Sequence, residues 1–175
     1  MEKLKILINS DFEMRQIDFS NREWHLGLPN TCGWYYLKTN TPFTTLAALP
    51  APPSEYTNGD GEQKKCRNYN ISSRASSLIN FNKVSNIVIS HAESQVVYSG
   101  MAKNLLSRAR EHTFGHFGTA GLALSNYPSV TEYDWMFFYL ENSIEQISNA
   151  HRNTVLKLGE QIWRANNGWP ILCAG

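Results

Sequence analysis

The residues able to move protons or balance charge fall in this chain at spacings that could bring them together. Arg108 and His112 stand four positions apart in Met101–His112. That run lacks Pro, Gly and β-branched residues, so it reads as a helix with both side chains on one face, while Arg110 points elsewhere. Ten positions before Arg108, Tyr98 is the lone aromatic of an aliphatic segment, Gln95-Val96-Val97-Tyr98-Ser99. Tyr35 and Tyr36 occupy a second β-favouring segment, where strand alternation sends them to opposite faces, so only one can serve a given site. Carboxylates are offered by Glu160, Glu141 and Glu145, each of which could equally be an exposed helix side chain. Hydrolysis of a phosphodiester needs an activated water, neutralisation of the charge growing on phosphoryl oxygens, and help for the leaving oxygen. A carboxylate-bound metal, an Arg and a proton acceptor in one place would meet those needs.

The elements that must position these groups follow from pattern. Residues 3–9 read as a short strand or peripheral element, and a polar segment up to Asn30 says little. Gly33–Thr39 is a strand between the turn-formers Pro29-Asn30 and Asn40-Thr41-Pro42. From Thr41 to about Lys83 the composition shifts to Pro, Ser, Thr, Asn and Gly, the chemistry of loops and turns. Asn86–Ser90 and Gln95–Ser99 flank His91-Ala92-Glu93-Ser94 in the pattern of a hairpin. A helix follows from Met101, then a Gly-rich connection over Gly115–Pro128, and then the apolar strand Trp135–Leu140, expected to be central. Ser143 to Arg164 reads as the last helix, ending before Asn166-Asn167-Gly168 and Pro170. The order is β, insertion, β, β, α, β, α.

Composition bounds the answer without deciding it. The chain has 175 residues, 42% hydrophobic and 18% charged, which suits one domain with its own core. A formal net charge of +1 means that any nucleic-acid surface must arise from local clusters, such as Lys64, Lys65, Arg67 and Arg74 near Tyr56 and Tyr69. Cys32, Cys66 and Cys173 are odd in number and lack metal-ligand spacing, so they read as reduced thiols. No signal peptide or membrane span is evident, and a cytoplasmic location without membrane attachment is expected.

Gly33-Trp34-Tyr35 and Tyr98-Ser99-Gly100 resemble the two halves of the signature of the GIY-YIG endonuclease family, with Trp34 and Ser99 in place of the isoleucines. The stretch Tyr98-Ser99-Gly100-Met101-Ala102-Lys103-Asn104-Leu105-Leu106-Ser107-Arg108 resembles the family most closely. His112 stands where several restriction enzymes of the family also carry a His, Glu160 is placed like the metal-binding Glu, and Pro170-Ile171-Leu172-Cys173 is similar to the tail of a small restriction enzyme. The family joins its two halves by a short connection, and it usually carries an Asn after the Glu that is missing here.

The resemblance implies an α/β (α+β) fold: a small, mostly antiparallel three-stranded sheet flanked by helices, in a single domain over 1–175 with an N-terminal extension 1–30 and an insertion at about 41–85. It implies a metal-dependent DNA endonuclease, as a site-specific restriction enzyme first, a repair or mobile-element nuclease second, and a non-catalytic DNA-binding protein third. Glu160 would hold one Mg²⁺ or Mn²⁺, Arg108 would offset phosphoryl charge, and Tyr35 would deprotonate the attacking water, with His112 as the competing base. Tyr98 would face the same pocket. Double-stranded DNA is the expected partner, with a homodimer on a palindromic site. The insertion would read bases and be dispensable to the sheet.

Overall fold

The structure, a computed structural model, describes residues 2–79, 94–143 and 149–173. In chain order the elements are α1 (Glu2–Ile8), β1 (Glu13–Gln16), β2 (Gly33–Thr39), α2 (Phe43–Ala47), β3 (Glu55–Thr57), β4 (Gln63–Lys65), α3 (Ile71–Ile79), β5 (Gln95–Ala102), α4 (Leu105–Phe114), α5 (Pro128–Thr131), β6 (Trp135–Glu141) and α6 (Asn149–Asn167). The strands β1, β6, β2 and β5 form an antiparallel sheet in that order, and β3 with β4 makes a separate hairpin. The fold is thus mixed α/β. The strongly apolar Trp135–Leu140 segment lies inside the sheet, as its composition predicts.

The sheet has a core on each of its faces. On one, Tyr35 and Leu37 of β2, Val97 and Tyr98 of β5 and Phe137 of β6 pack with Leu105 and Ala109 of α4. On the other, Trp34 and Val96 pack with Leu4 and Ile8 of α1 and Leu156 and Trp163 of α6. Tyr35 and Tyr36 therefore do face opposite ways. Strict alternation would separate Val97 from Tyr98 as well. The β2–β5 register jumps between Leu37 and Lys38, however, so that Val97 has no opposite number on β2. This extra residue lets two successive side chains enter the same core, a characteristic effect of a β-bulge, and Tyr98 is aimed at Tyr35.

Several expectations are corrected. Residues 2–8 are helical rather than extended: Leu4 and Ile8, four apart, are both buried, and a run so short cannot separate a period of 2 from one of 3.6. Four strands replace the expected three, because Glu13–Gln16 adds to β6 and the Tyr139 hydroxyl donates to the Glu13 carboxylate at 2.6 Å. The strand β5 runs on to Ala102, so the following helix begins at Leu105 rather than at Met101. The strand expected at Asn86–Ser90 lies outside the described residues, as does the start of the last helix over 144–148.

The largest correction concerns the insertion. It carries α2, the β3–β4 hairpin and α3, and its Leu46, Leu49, Ile71 and Ala75 are buried in the same core as Tyr35 and Leu37. It is part of the body of the protein. Prolines and serines hid this, because turn chemistry in the sequence conceals buried residues spaced too widely to show a period.

The outer side of β5 is covered by the chain's own tail. The Leu172 N–H donates to Val97 O at 2.8 Å, and the Ser99 N–H donates to Cys173 Sγ at 3.2 Å. Among the described residues no helix is long and apolar enough to cross a membrane, and the three cysteines are free thiols.

Candidate active site

The two glycine-bearing triplets are brought side by side by the β2–β5 pairing, in which Gly33 lies opposite Ala102 and Tyr35 opposite Gly100. Both glycines are needed for space. A Cβ on Gly100 would lie 2.5 Å from the Tyr35 hydroxyl, and one on Gly33 would collide with the Leu140 carbonyl.

The ten-residue step from Tyr98 to Arg108 has a structural meaning. It spans the end of β5, a reversal at Asn104 and the first turn of α4, and the Asn104 side chain caps the helix by accepting the Ser107 N–H at 2.9 Å. Arg108 is thereby placed over the tyrosines. Its Nε donates to the Tyr35 hydroxyl at 2.9 Å and its Nη2 to the Tyr69 hydroxyl at 3.2 Å. Its Nη1 meets Glu111 at 2.8 Å and also donates to Ala120 O.

One turn later His112 is fully buried with both ring nitrogens engaged. Its Nε2 lies 2.9 Å from the Tyr35 hydroxyl, and its Nδ1 accepts the Leu122 N–H at 3.3 Å. An accepting Nδ1 puts the proton of the neutral ring on Nε2, so His112 donates to Tyr35. Burial, reinforced by the Arg108 charge, pushes the imidazole well below its ordinary pKa. The tyrosine rings stack in sequence, with Tyr35 to Tyr98 at 6.1 Å and Tyr98 to Tyr69 at 5.8 Å between centroids.

The phenols differ in acidity. Burial pushes Tyr35 up to about 12 against the pull of Arg108. Tyr98 is raised too, by burial and then by the neighbouring phenols. Tyr69 goes the other way: burial opposes ionisation, but the Tyr98 hydrogen bond and the charges of Arg108 and Arg74 outweigh it.

The state of His112 has a consequence for stability. An unfolded His titrates near 6.5, so below that pH the unfolded chain takes up a proton that native His112 refuses. Its contribution is complete above about pH 6.5 and is lost as pH falls toward the depressed native value. The expected result is that wild type loses stability between pH 7 and 5 more steeply than His112→Gln, by up to about 1.4 kcal/mol per pH unit. Denaturant titrations of both proteins across that range check it, and parallel slopes would contradict it.

Glu160 does not join this cluster directly. It lies on α6, which packs on the opposite face of the sheet, and its Oε1 pairs with Arg164 at 2.6 Å. Arg164 in turn donates to the Ser99 hydroxyl at 3.0 Å and to Ser99 O at 3.1 Å, so Glu160 is tied to the residue between Tyr98 and Gly100. Burial raises its pKa, and the charges of Arg164, Arg108 and Lys157 oppose the rise. No group of three or more His, Cys, Asp or Glu side chains fit to hold a metal occurs among the described residues. A cation at Glu160 would find a single carboxylate, one oxygen of which is already paired with Arg164.

Tyr35, Tyr98, Arg108 and His112 thus form one cluster, and Glu160 is joined to it through Arg164 and Ser99. Compared with family models, with curated proteins and with solved structures, the chain matches none.

Sequence reasoning gave Tyr69 and Arg74 only a place on a DNA-contacting loop and did not single out Ser99 or Arg164. The available signal was Asn70 before Ile71-Ser72-Ser73-Arg74: its side chain accepts the Ser73 N–H at 2.9 Å, capping α3 and fixing the tyrosine beside it.

Proposed function

We propose that this chain is a metal-dependent DNA endonuclease built on the GIY-YIG plan, acting as a small restriction enzyme. The observation that carries the reading is the convergence of Arg108, His112, Tyr35 and Tyr98 across the β2–β5 pair. An apolar pocket would not need an Arg held by two phenols and a carboxylate. A phosphodiester would.

Arg108 is the group that meets the phosphoryl oxygens, because burial among tyrosines strengthens its field and its hydrogen bonds hold it still. His112 and Tyr35 keep that guanidinium in place from beneath. Glu160 would hold one Mg²⁺ or Mn²⁺, and such an ion would supply neutralisation of charge developing in phosphodiester hydrolysis. The β3–β4 hairpin presents Lys64 and Lys65 on exposed backbone, with Arg67 just beyond, and these cations suit the phosphates and base edges of a duplex. One active site cuts one strand, so a palindromic sequence is cut by two copies.

Incubation of supercoiled plasmid with the protein and Mg²⁺, with EDTA as control, tests the reading. Discrete fragments mark a restriction enzyme, unselective nicking marks a repair or mobile-element nuclease, and binding without cutting returns the chain to a DNA-binding protein. Arg108→Ala is expected to lower the cleavage rate by roughly 10²-fold or more, as for loss of a donor to developing charge. A drop of tenfold or less in single-turnover rates would leave Arg108 a structural residue.

A further inference from the structure

We propose that Tyr69, supplied by the insertion and by neither signature triplet, is the catalytic proton acceptor of the site. It would take a proton from the water that attacks the DNA phosphodiester. The inference rests on the nuclease reading above.

Access decides among the candidate bases. Tyr35 is 2% exposed, Tyr98 is 7% exposed and His112 is fully buried with both nitrogens occupied. None of the three presents an exposed face to a water that also meets a phosphate outside. Tyr69 closes the stack at its outer end and is only half-buried.

The residue is also fixed, as a catalytic group must be. The Tyr69 N–H donates to Gly121 O at 2.9 Å, and the Arg67 N–H donates to Phe117 O at 2.6 Å. Between them the Asn68 side chain donates to His116 O and Thr119 O, both at 2.9 Å. These bonds fasten Arg67–Tyr69 to the connection that follows α4.

The surroundings favour the phenolate. The hydroxyl receives hydrogen bonds from Arg108 Nη2 at 3.2 Å and, more weakly, from the Tyr98 hydroxyl at 3.5 Å. The Arg74 guanidinium lies over the ring, 4.4 Å from its centroid. The groups facing Tyr69 are Arg74 of α3, Tyr98 of β5, and Arg108 and neutral His112 of α4, with Tyr35 behind them. Glu111, the carboxylate on Arg108, is held at that guanidinium's far nitrogen. Among the described residues two cations, one on the hydroxyl and one over the ring, and no free anion face Tyr69, and its lowered pKa follows from this arrangement.

In the step itself the water oxygen forms a bond to phosphorus as the bond from phosphorus to the 3′ oxygen breaks. The Tyr69 phenolate takes the water's proton. The 3′ oxygen leaves with the electron pair and is protonated by solvent.

The test uses the whole chain. Tyrosinate absorbance is titrated without metal or DNA for wild type, Tyr69→Phe and Tyr35→Phe, and single-turnover plasmid cleavage and DNA affinity are measured beside it. One tyrosine of wild type is expected to ionise below the ordinary value of about 10, to persist in Tyr35→Phe and to vanish in Tyr69→Phe. Cleavage by Tyr69→Phe should fall roughly 10²-fold or more with DNA affinity retained, the usual scale for loss of a general base. Arg74→Gln keeps the phenol and removes the overlying charge, so it should move the same titration, and the acid limb of the rate profile, upward. Superimposable titrations for wild type and Tyr69→Phe, cleavage within tenfold, or an unmoved Arg74→Gln profile each overturn the assignment while leaving the nuclease reading standing. A wild type inert on DNA overturns both.

Discussion

Glu160→Gln is expected to abolish metal-dependent DNA cleavage while leaving the fold and DNA affinity close to wild type. The substitution is isosteric and retains an oxygen that can accept from Arg164, and Arg164 keeps its two bonds to Ser99. Packing around Leu156 and Trp163 is untouched. What disappears is the negative charge on which a hard divalent cation at this position would depend. Calorimetric Mn²⁺ titration should lose its binding isotherm, and thermal melting should move little. If the variant still cuts at near wild-type rate, the ligand is elsewhere. Glu141, exposed at the end of β6 where it accepts from Thr31 at 2.5 Å, is then the first place to look, and Glu145, outside the described residues, is the second.

Replacing residues 45–80 by a short Gly-Ser linker is expected to unfold the protein. The segment takes with it Leu46, Leu49 and Ile71, all buried against the sheet. At about 1.5–3 kcal/mol for each such side chain, the loss is roughly 5–9 kcal/mol. That is comparable to the whole stability of an ordinary domain, about 5–15 kcal/mol. The shorter connection gives back only about 0.6 kcal/mol for each halving of length. The Tyr69 stack, the Asn68 clamp on the His116–Thr119 turn and the Arg74 bond to Leu172 O go as well. Circular dichroism should show no cooperative melt. A soluble product melting within a few degrees of wild type would mean that the sheet and its helices make a sufficient core by themselves.

The sequence and the structure meet most closely where one local rule acts alone. Gly33–Thr39 and Trp135–Leu140 are strands because aromatic residues crowd segments bounded by turn-formers, and both are internal strands of the sheet. Arg108 and His112 share a face because helix geometry leaves no choice. Features made by distant contacts were harder to read. Glu13–Gln16 is exposed almost throughout and becomes a strand only because β6 offers it an edge. Tyr98 faces Tyr35 through a bulge that no pattern in Gln95–Ser99 announces. Tyr69 depends on Asn68 and on carbonyls some fifty positions away, so its place in the cluster is a property of the folded chain.

The covered margin of β5 bears on how two copies could assemble. Val97 O is taken by the Leu172 N–H, the Ser99 N–H by the Cys173 thiol, and Ser99 O by Arg164 and that same thiol. A strand from another molecule would find these hydrogen-bonding groups already engaged, and so could not extend the sheet on this side. Self-association through a continuous intermolecular sheet is thereby discouraged next to the tyrosine cluster, as is fibre growth from the same border. Two protomers, if they meet on a palindrome, would have to join elsewhere than along this margin, for instance at the opposite, β1 edge of the sheet.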